Sequence, residues 1–194
     1  MKKMLRLVVV AVALVAAAAG PSAAQELRFG AQASYGSFSE FGVGARAEMD
    51  LGHLVENLSV STSLDYFFES DGTDHHTDAF SRVYAYDYET KLWALNVNAI
   101  YDLRMLDIPE TFQVYVGGGL NYTNEKYDYP YSGLYYVGSY ERRTDNDGFG
   151  LNVLAGCRFN LNLMVVPFVE VRYTLGGVED QFITSVGVSY SLPR

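Results

Sequence analysis

The chain has 194 residues, 49% of them hydrophobic, with 14 Lys+Arg against 23 Asp+Glu and a single cysteine. Such a length suits one domain with a sizeable core. The acidic balance excludes a nucleic-acid binder and a protein held on anionic lipid by a basic patch, and one cysteine excludes an intramolecular disulfide framework.

Lys2, Lys3 and Arg6 precede an apolar run from Leu7 to Ala19, and Ser22-Ala23-Ala24 supplies small residues at a cleavage position. This is the pattern of a secretory signal peptide over residues 1–24, so residues 25–194 are expected to form the mature domain. The leader holds three basic residues and no acid, which leaves 11 Lys+Arg against 23 acids and a mature charge of −12. Beyond it no apolar run is long enough for a membrane-crossing helix. The exported chain is then either soluble or a barrel in an outer membrane.

Helical periodicity is absent after residue 24, and alternation with period two takes its place. The first strand, Glu26 to Tyr35, sets Leu27, Phe29, Ala31, Ala33 and Tyr35 against Arg28, Gly30, Gln32 and Ser34. Phe41 to Leu51 sets Phe41, Val43, Ala45, Ala47, Met49 and Leu51 against Gly42, Gly44, Arg46, Glu48 and Asp50. A third strand, Leu58 to Phe68, sets Leu64, Tyr66 and Phe68 against Ser61, Ser63, Asp65 and Phe67. Glu69 to Asp78 reads as a polar loop. The tyrosine-rich stretch Phe80 to Lys91 then leads into a fourth strand, Leu92 to Asp102, with a change of aromatic phase that predicts a bulge near residues 89–92.

The fifth strand runs from Phe112 to Tyr122, and residues 123–148 are the longest connection, parts of which extend the flanking strands. Phe149 to Asn160 is the sixth strand and carries Cys157 on the face of Val153 and Ala155, as a small apolar residue with no base to activate it. The last two strands form a hairpin over 165–192. There Val169, Val171, Tyr173 and Leu175 oppose Glu170, Arg172 and Thr174, and Gly176-Gly177 makes the turn.

Each apolar face carries about six residues over ~11, the span a tilted strand needs to cross a bilayer. The opposite faces are small or polar, and both signs of charge sit in mid-strand: Arg28, Arg46, Glu48, Asp50, Asp65, Arg158, Glu170 and Arg172. In a soluble ligand barrel the apolar face points inward. Here the arrangement is expected to be inverted, with apolar side chains in lipid and ion-paired ones in a narrow lumen. Aromatic residues near strand ends, among them Tyr35, Phe41, Trp93, Tyr122 and Tyr190, then form the interfacial girdles. The long segments 69–91 and 123–148 fall on the extracellular side.

The glycine-rich alternation of VYVGGGLNY (114–122) and the closing PFVEVRYTLGG and ITSVGVSYSL (167–177 and 183–192) resemble the small outer-membrane β-barrel superfamily of OmpA/OmpX type, over most of residues 26–192. The resemblance implies an all-β, eight-stranded antiparallel up-and-down transmembrane barrel in the bacterial outer membrane. It also implies contact with outer-membrane lipid, and with the barrel-insertion machinery during biogenesis.

The candidate functional cluster is the lumenal set Arg46, Glu48, Asp65, Arg158, Glu170 and Arg172, read as a static plug or, alternatively, as the gate of a narrow small-solute channel. His75-His76, in an acidic loop, fits no specific metal spacing, so no metal or cofactor is expected. A lipid-modifying enzyme would need a nucleophile with an oriented base. His75 or His76 with Ser81 is the arrangement to consider, and nothing in sequence orients it. The expected function is a monomeric, non-enzymatic barrel with a structural or surface-interaction role, with segments 69–91 and 123–148 as candidate sites for a surface ligand.

Overall fold

A computed structural model describes residues 26–37, 40–77, 83–103, 109, 111–130, 141–161 and 164–191. The leader and Ser81 lie outside the described residues. Eight strands follow one another: β1 (Leu27–Gly36), β2 (Glu40–Asp50), β3 (Leu58–Thr77), β4 (Val83–Asp102), β5 (Phe112–Pro130), β6 (Glu141–Phe159), β7 (Val165–Gly176) and β8 (Gln181–Ser191). Each pairs antiparallel with the next. β8 returns to β1 through a register running from Arg28↔Ser191 to Gly36↔Ile183, which closes the barrel. Closure leaves no free edge around the wall, which a lipid-embedded sheet requires because hydrocarbon cannot satisfy open N–H and C=O groups.

The faces are inverted relative to a soluble barrel. Val153 is 59% exposed and Val188 46%, whereas Asp65 is fully buried and Arg172 is 1% exposed. Aromatic side chains of the outer face, exposed or half-buried, collect at two levels. Phe41 stacks with Phe68 at 5.8 Å and Tyr66 meets Trp93 at 4.5 Å at one level, while Phe112 meets Phe159 at 5.6 Å at the other. Aliphatic side chains and alanines fill the belt between them. Met49 and Leu51 follow the outward phase but are buried beside the β2–β3 turn, whose Leu54 and Val55 amides fold back onto the Leu51 carbonyl. The β7–β8 turn has Gly176 and Gly177 at φ of 78° and 84°, a region open to glycine and costly for other residues.

The segment read as a polar loop, 69–78, is strand as far as Thr77. β3 and β4 are each 20 residues long, β5 and β6 each 19, against 10 to 12 for the other four. A tilted strand crosses a bilayer in ~9–11 residues, so about half of each long strand lies beyond it. The expected irregularity at 89–92 is present at that height, but the extra residue belongs to the partner strand. Phe67 pairs with Leu92 and Ser70 with Thr90, so Phe68 and Glu69 face Lys91 alone. Two residues opposite one is a β-bulge on β3.

Candidate functional site

Period two delivers every inner-face residue of eight strands into one narrow space, and the strand register decides which of them meet. All six lumenal residues read from the sequence lie there. Arg46 Nη1 donates to Glu170 Oε2 at 2.6 Å, and Tyr115 donates its hydroxyl to the same oxygen at 3.0 Å. Arg172 donates to Asp65 at 3.1 Å and also stands 3.9 Å from Glu170. Arg158 bridges Glu48 at 2.8 Å and Asp102 at 2.6 Å. Glu48 also lies 3.6 Å from Arg46 and 3.3 Å from Arg28.

Taking such ions out of water costs several kcal/mol each, and only close pairing with further hydrogen bonds offsets it. The wall supplies those bonds. Gln32 and Asn96 both donate to Asp65, at 2.6 and 3.1 Å. An amide ladder continues through Asn121 and Asn152, which both donate to Asn96 Oδ1, with Thr174 donating to Asn152. Two guanidiniums also lie on rings, Arg46 over Phe168 and Arg158 over Tyr115, at 4.7 and 4.3 Å. Glycine makes the room. A Cβ on Gly156 would collide with the Tyr115 ring and the Val169 carbonyl, so only a bare backbone lets that tyrosine lie across the lumen.

The two ends of the lumen differ. Toward the long hairpins it is closed by Phe67, Leu92, Ala94 and Ile183, all buried. At the end bearing both termini a polar cavity of about 240 Å³ opens. Reading the sequence missed Tyr115, Asp102 and the asparagine ladder as members of this network. Their inner-face phase was the available signal, because each alternates with lipid-facing neighbours. His75 and His76 sit on the outer part of β3, paired in register with Ala85 and Tyr84 of β4, away from the lumenal cluster. Among the described residues no group of three or more acidic, histidine or cysteine side chains is placed to hold a metal ion.

An inverted barrel with two aromatic girdles and a charged, side-chain-filled lumen is an integral protein of the bacterial outer membrane that crosses with strands. No described helix is long and apolar enough to cross. The chain belongs to the family described as outer membrane protein beta-barrel domain, whose family model matches residues 8–191. Among solved structures it is similar to the N-terminal β-barrel domain of Pseudomonas aeruginosa OprF, with a TM-score of 0.52 and 14% identity over 86% of this chain and 97% of that one. It is similar to Neisserial surface protein A, with a TM-score of 0.50 and 15% identity over 87% and 97%. It is also similar to a major outer membrane protein of Thermus thermophilus, with a TM-score of 0.64 and 14% identity over 87% and 100%. At these identities the likeness is one of fold. The comparison with curated proteins gave no match. Barrels of this class keep short turns in the periplasm and long connections outside, which places the hairpins β3–β4 and β5–β6 at the cell surface and the polar cavity on the periplasmic side.

Proposed function

We propose that this protein is a non-enzymatic, monomeric barrel that presents a four-stranded sheet outside the cell for contact with a partner, and that the lumen is its rigid plug. The observation that carries this reading is the register. β2 pairs with β3 only as far as Phe67, and β7 with β6 only from Gly150, yet β3–β4 pairing continues to Thr77↔Val83 and β5–β6 pairing to Pro130↔Glu141. β4 and β5 stay joined up to Glu89↔Asp128. Above the membrane the sheet β3–β4–β5–β6 therefore stands with two outer edges, 69–77 and 141–147, that no described strand covers. Open edges accept an extended segment of another chain through backbone hydrogen bonds. The partner class is an extended polypeptide, met through segments 69–91 and 123–148.

The test is selection of unstructured peptides against the barrel in nanodiscs, followed by comparison with a variant whose two hairpins are cut back to the bilayer. The trimmed barrel is expected to fold, shown by heat-modifiable gel migration, and to lose the selected peptides. Equal binding by both forms would remove the proposal.

A second reading, the small-solute channel, is favoured by the polar cavity that enters the lumen from the periplasm. Stable unitary conductance steps in planar bilayers, abolished by changing Glu170 and Arg172, would support it over the plug. A lipid-modifying activity would alter the lipid profile on over-expression, and the expected profile is unchanged. The leader 1–24 is proposed to be cleaved, which the N-terminal sequence of the mature protein would test.

A further inference from the structure

We propose that the periplasmic mouth of the barrel binds a small organic cation bearing a primary ammonium group. The cavity there, about 240 Å³, is lined by the carboxylates Glu26, Glu48, Asp50, Glu56 and Asp102. Among the described residues three guanidiniums answer them. Arg28 pairs with Glu26 and Glu48, Arg158, from deeper in the lumen, pairs with Glu48 and Asp102, and Arg46, itself bound to Glu170, stands 3.6 Å from Glu48. Five negative charges against these three positive ones leave a surplus, with Asp50 and Glu56 at the rim.

A second, independent observation points to a donor-bearing ligand. Ser59 is only 5% exposed and lines the same cavity, and its Oγ has no hydrogen-bond partner among the described residues. Asn57, also on the cavity, is half-buried, and its Oδ1 is a buried atom likewise without a partner among them. Buried oxygens are normally hydrogen-bonded, and each exception calls for an explanation. The turn fixes both positions. Asn57 stands at φ 65° with its carbonyl accepting from the Asp102 amide at 2.9 Å, and Ser59 is the first inner-face residue of β3 after it.

The chemistry of the ligand follows from this set of acceptors. The side chains that could ligate a metal do not converge, because no group of three is close enough among the described residues. Acceptors spread around a cavity suit an ammonium, whose three N–H donors fan out from one charge. The volume admits a short aliphatic amine. The opposite end of the lumen is closed by Phe67, Leu92, Ala94 and Ile183, so the ligand enters from the periplasm and does not pass through. This site is separate from the surface sheet, and either proposal can fail without the other.

The experiment is calorimetric titration of the mature barrel in nanodiscs with cadaverine at low salt, with tetramethylammonium and Mg²⁺ titrated in parallel. Saturable binding of cadaverine is expected, and tetramethylammonium, equally cationic but without N–H, should bind at least about tenfold more weakly. Ser59→Ala, which removes the unpartnered oxygen, and Asp50→Asn, which removes rim charge, should each weaken cadaverine by about tenfold while keeping heat-modifiable migration. The proposal is overturned by no saturable binding, by tetramethylammonium binding as well as cadaverine, by Mg²⁺ displacing cadaverine at equal concentration, or by both folded variants binding like the wild type.

Discussion

The lumenal ion pairs can be tested by comparing the loss of one partner with the loss of both. In Glu170→Leu, Arg46 keeps, among the described carboxylates, only Glu48 at 3.6 Å, which is already shared with Arg158 and Arg28. The Arg46 side chain is 4% exposed, so water cannot replace the lost partner. Breaking a buried pair in this way costs about 3–5 kcal/mol. Tyr115 also loses its acceptor, a penalty of about 1–3 kcal/mol that overlaps with the first because both bonds end on one oxygen. A loss on the order of 4 kcal/mol is a large part of a typical stability of about 5–15 kcal/mol. Glu170→Leu combined with Arg46→Met removes both charges. Glu48 still has Arg158 and Arg28, and Arg172 still has Asp65. The acceptor of the tyrosine hydroxyl, the contact of Arg46 with Phe168 and two long ion pairs, Arg172–Glu170 at 3.9 Å and Arg46–Glu48 at 3.6 Å, are lost, but no buried charge among the described residues is left without a partner, so the double variant is expected within about 2 kcal/mol of wild type. Urea unfolding in detergent micelles, followed through the fluorescence of the single tryptophan, Trp93, measures both. A double variant as unstable as Glu170→Leu alone would refute the reasoning.

Three further outcomes test the inversion of faces and the packing of the lumen. Val153→Arg puts a charge on the lipid face between the girdles and should cost about 2–4 kcal/mol in the same unfolding assay in lipid vesicles, most steeply near the midplane. Gly156→Val drives a side chain into the Tyr115 ring and the Val169 carbonyl; it should lower stability by at least about 1–3 kcal/mol, seen as a reduced heat-modifiable fraction on gels. Cys157 is half-buried and in phase with the outward-facing Val153 and Ala155, so in vesicles it should react with a membrane-permeant maleimide and resist a charged, impermeant one.

Strand phase was legible because lipid and lumen impose opposite demands on alternate residues. Val169, Val171 and Tyr173 could only face lipid if Glu170 and Arg172 faced the lumen. That reasoning brought all six charged residues to one place. It could not pair them, because Arg46 meets Glu170 across 124 positions of sequence, and the barrel register sets that meeting. It also misread 69–77 as loop. Above the bilayer neither face of a strand is held to an apolar environment, so Ser70 to Thr77 shows no alternation, although the backbone still forms its ladder with β4. The bulge was expected at the right height but assigned to the strand whose aromatic phase changed, whereas Phe68 and Glu69 of β3 absorb the extra residue.

The same pairing bears on whether the lumen is a plug or a pore. A continuous path along the axis would require Arg46 to leave Glu170 and Arg172 to leave Asp65, since both pairs span the lumen between strands far apart in the chain. Each separation costs about 3–5 kcal/mol while the charges stay buried. Two together amount to at least about 6 kcal/mol, and every 1.4 kcal/mol is a factor of ten, so an open form would occupy about one part in 10⁴ or less. The apolar closure at Phe67 and Ile183 would have to move as well. Bilayer recordings of the wild type should therefore be silent, and Glu170→Leu, which removes one pair outright, is the variant in which rare openings should first be seen.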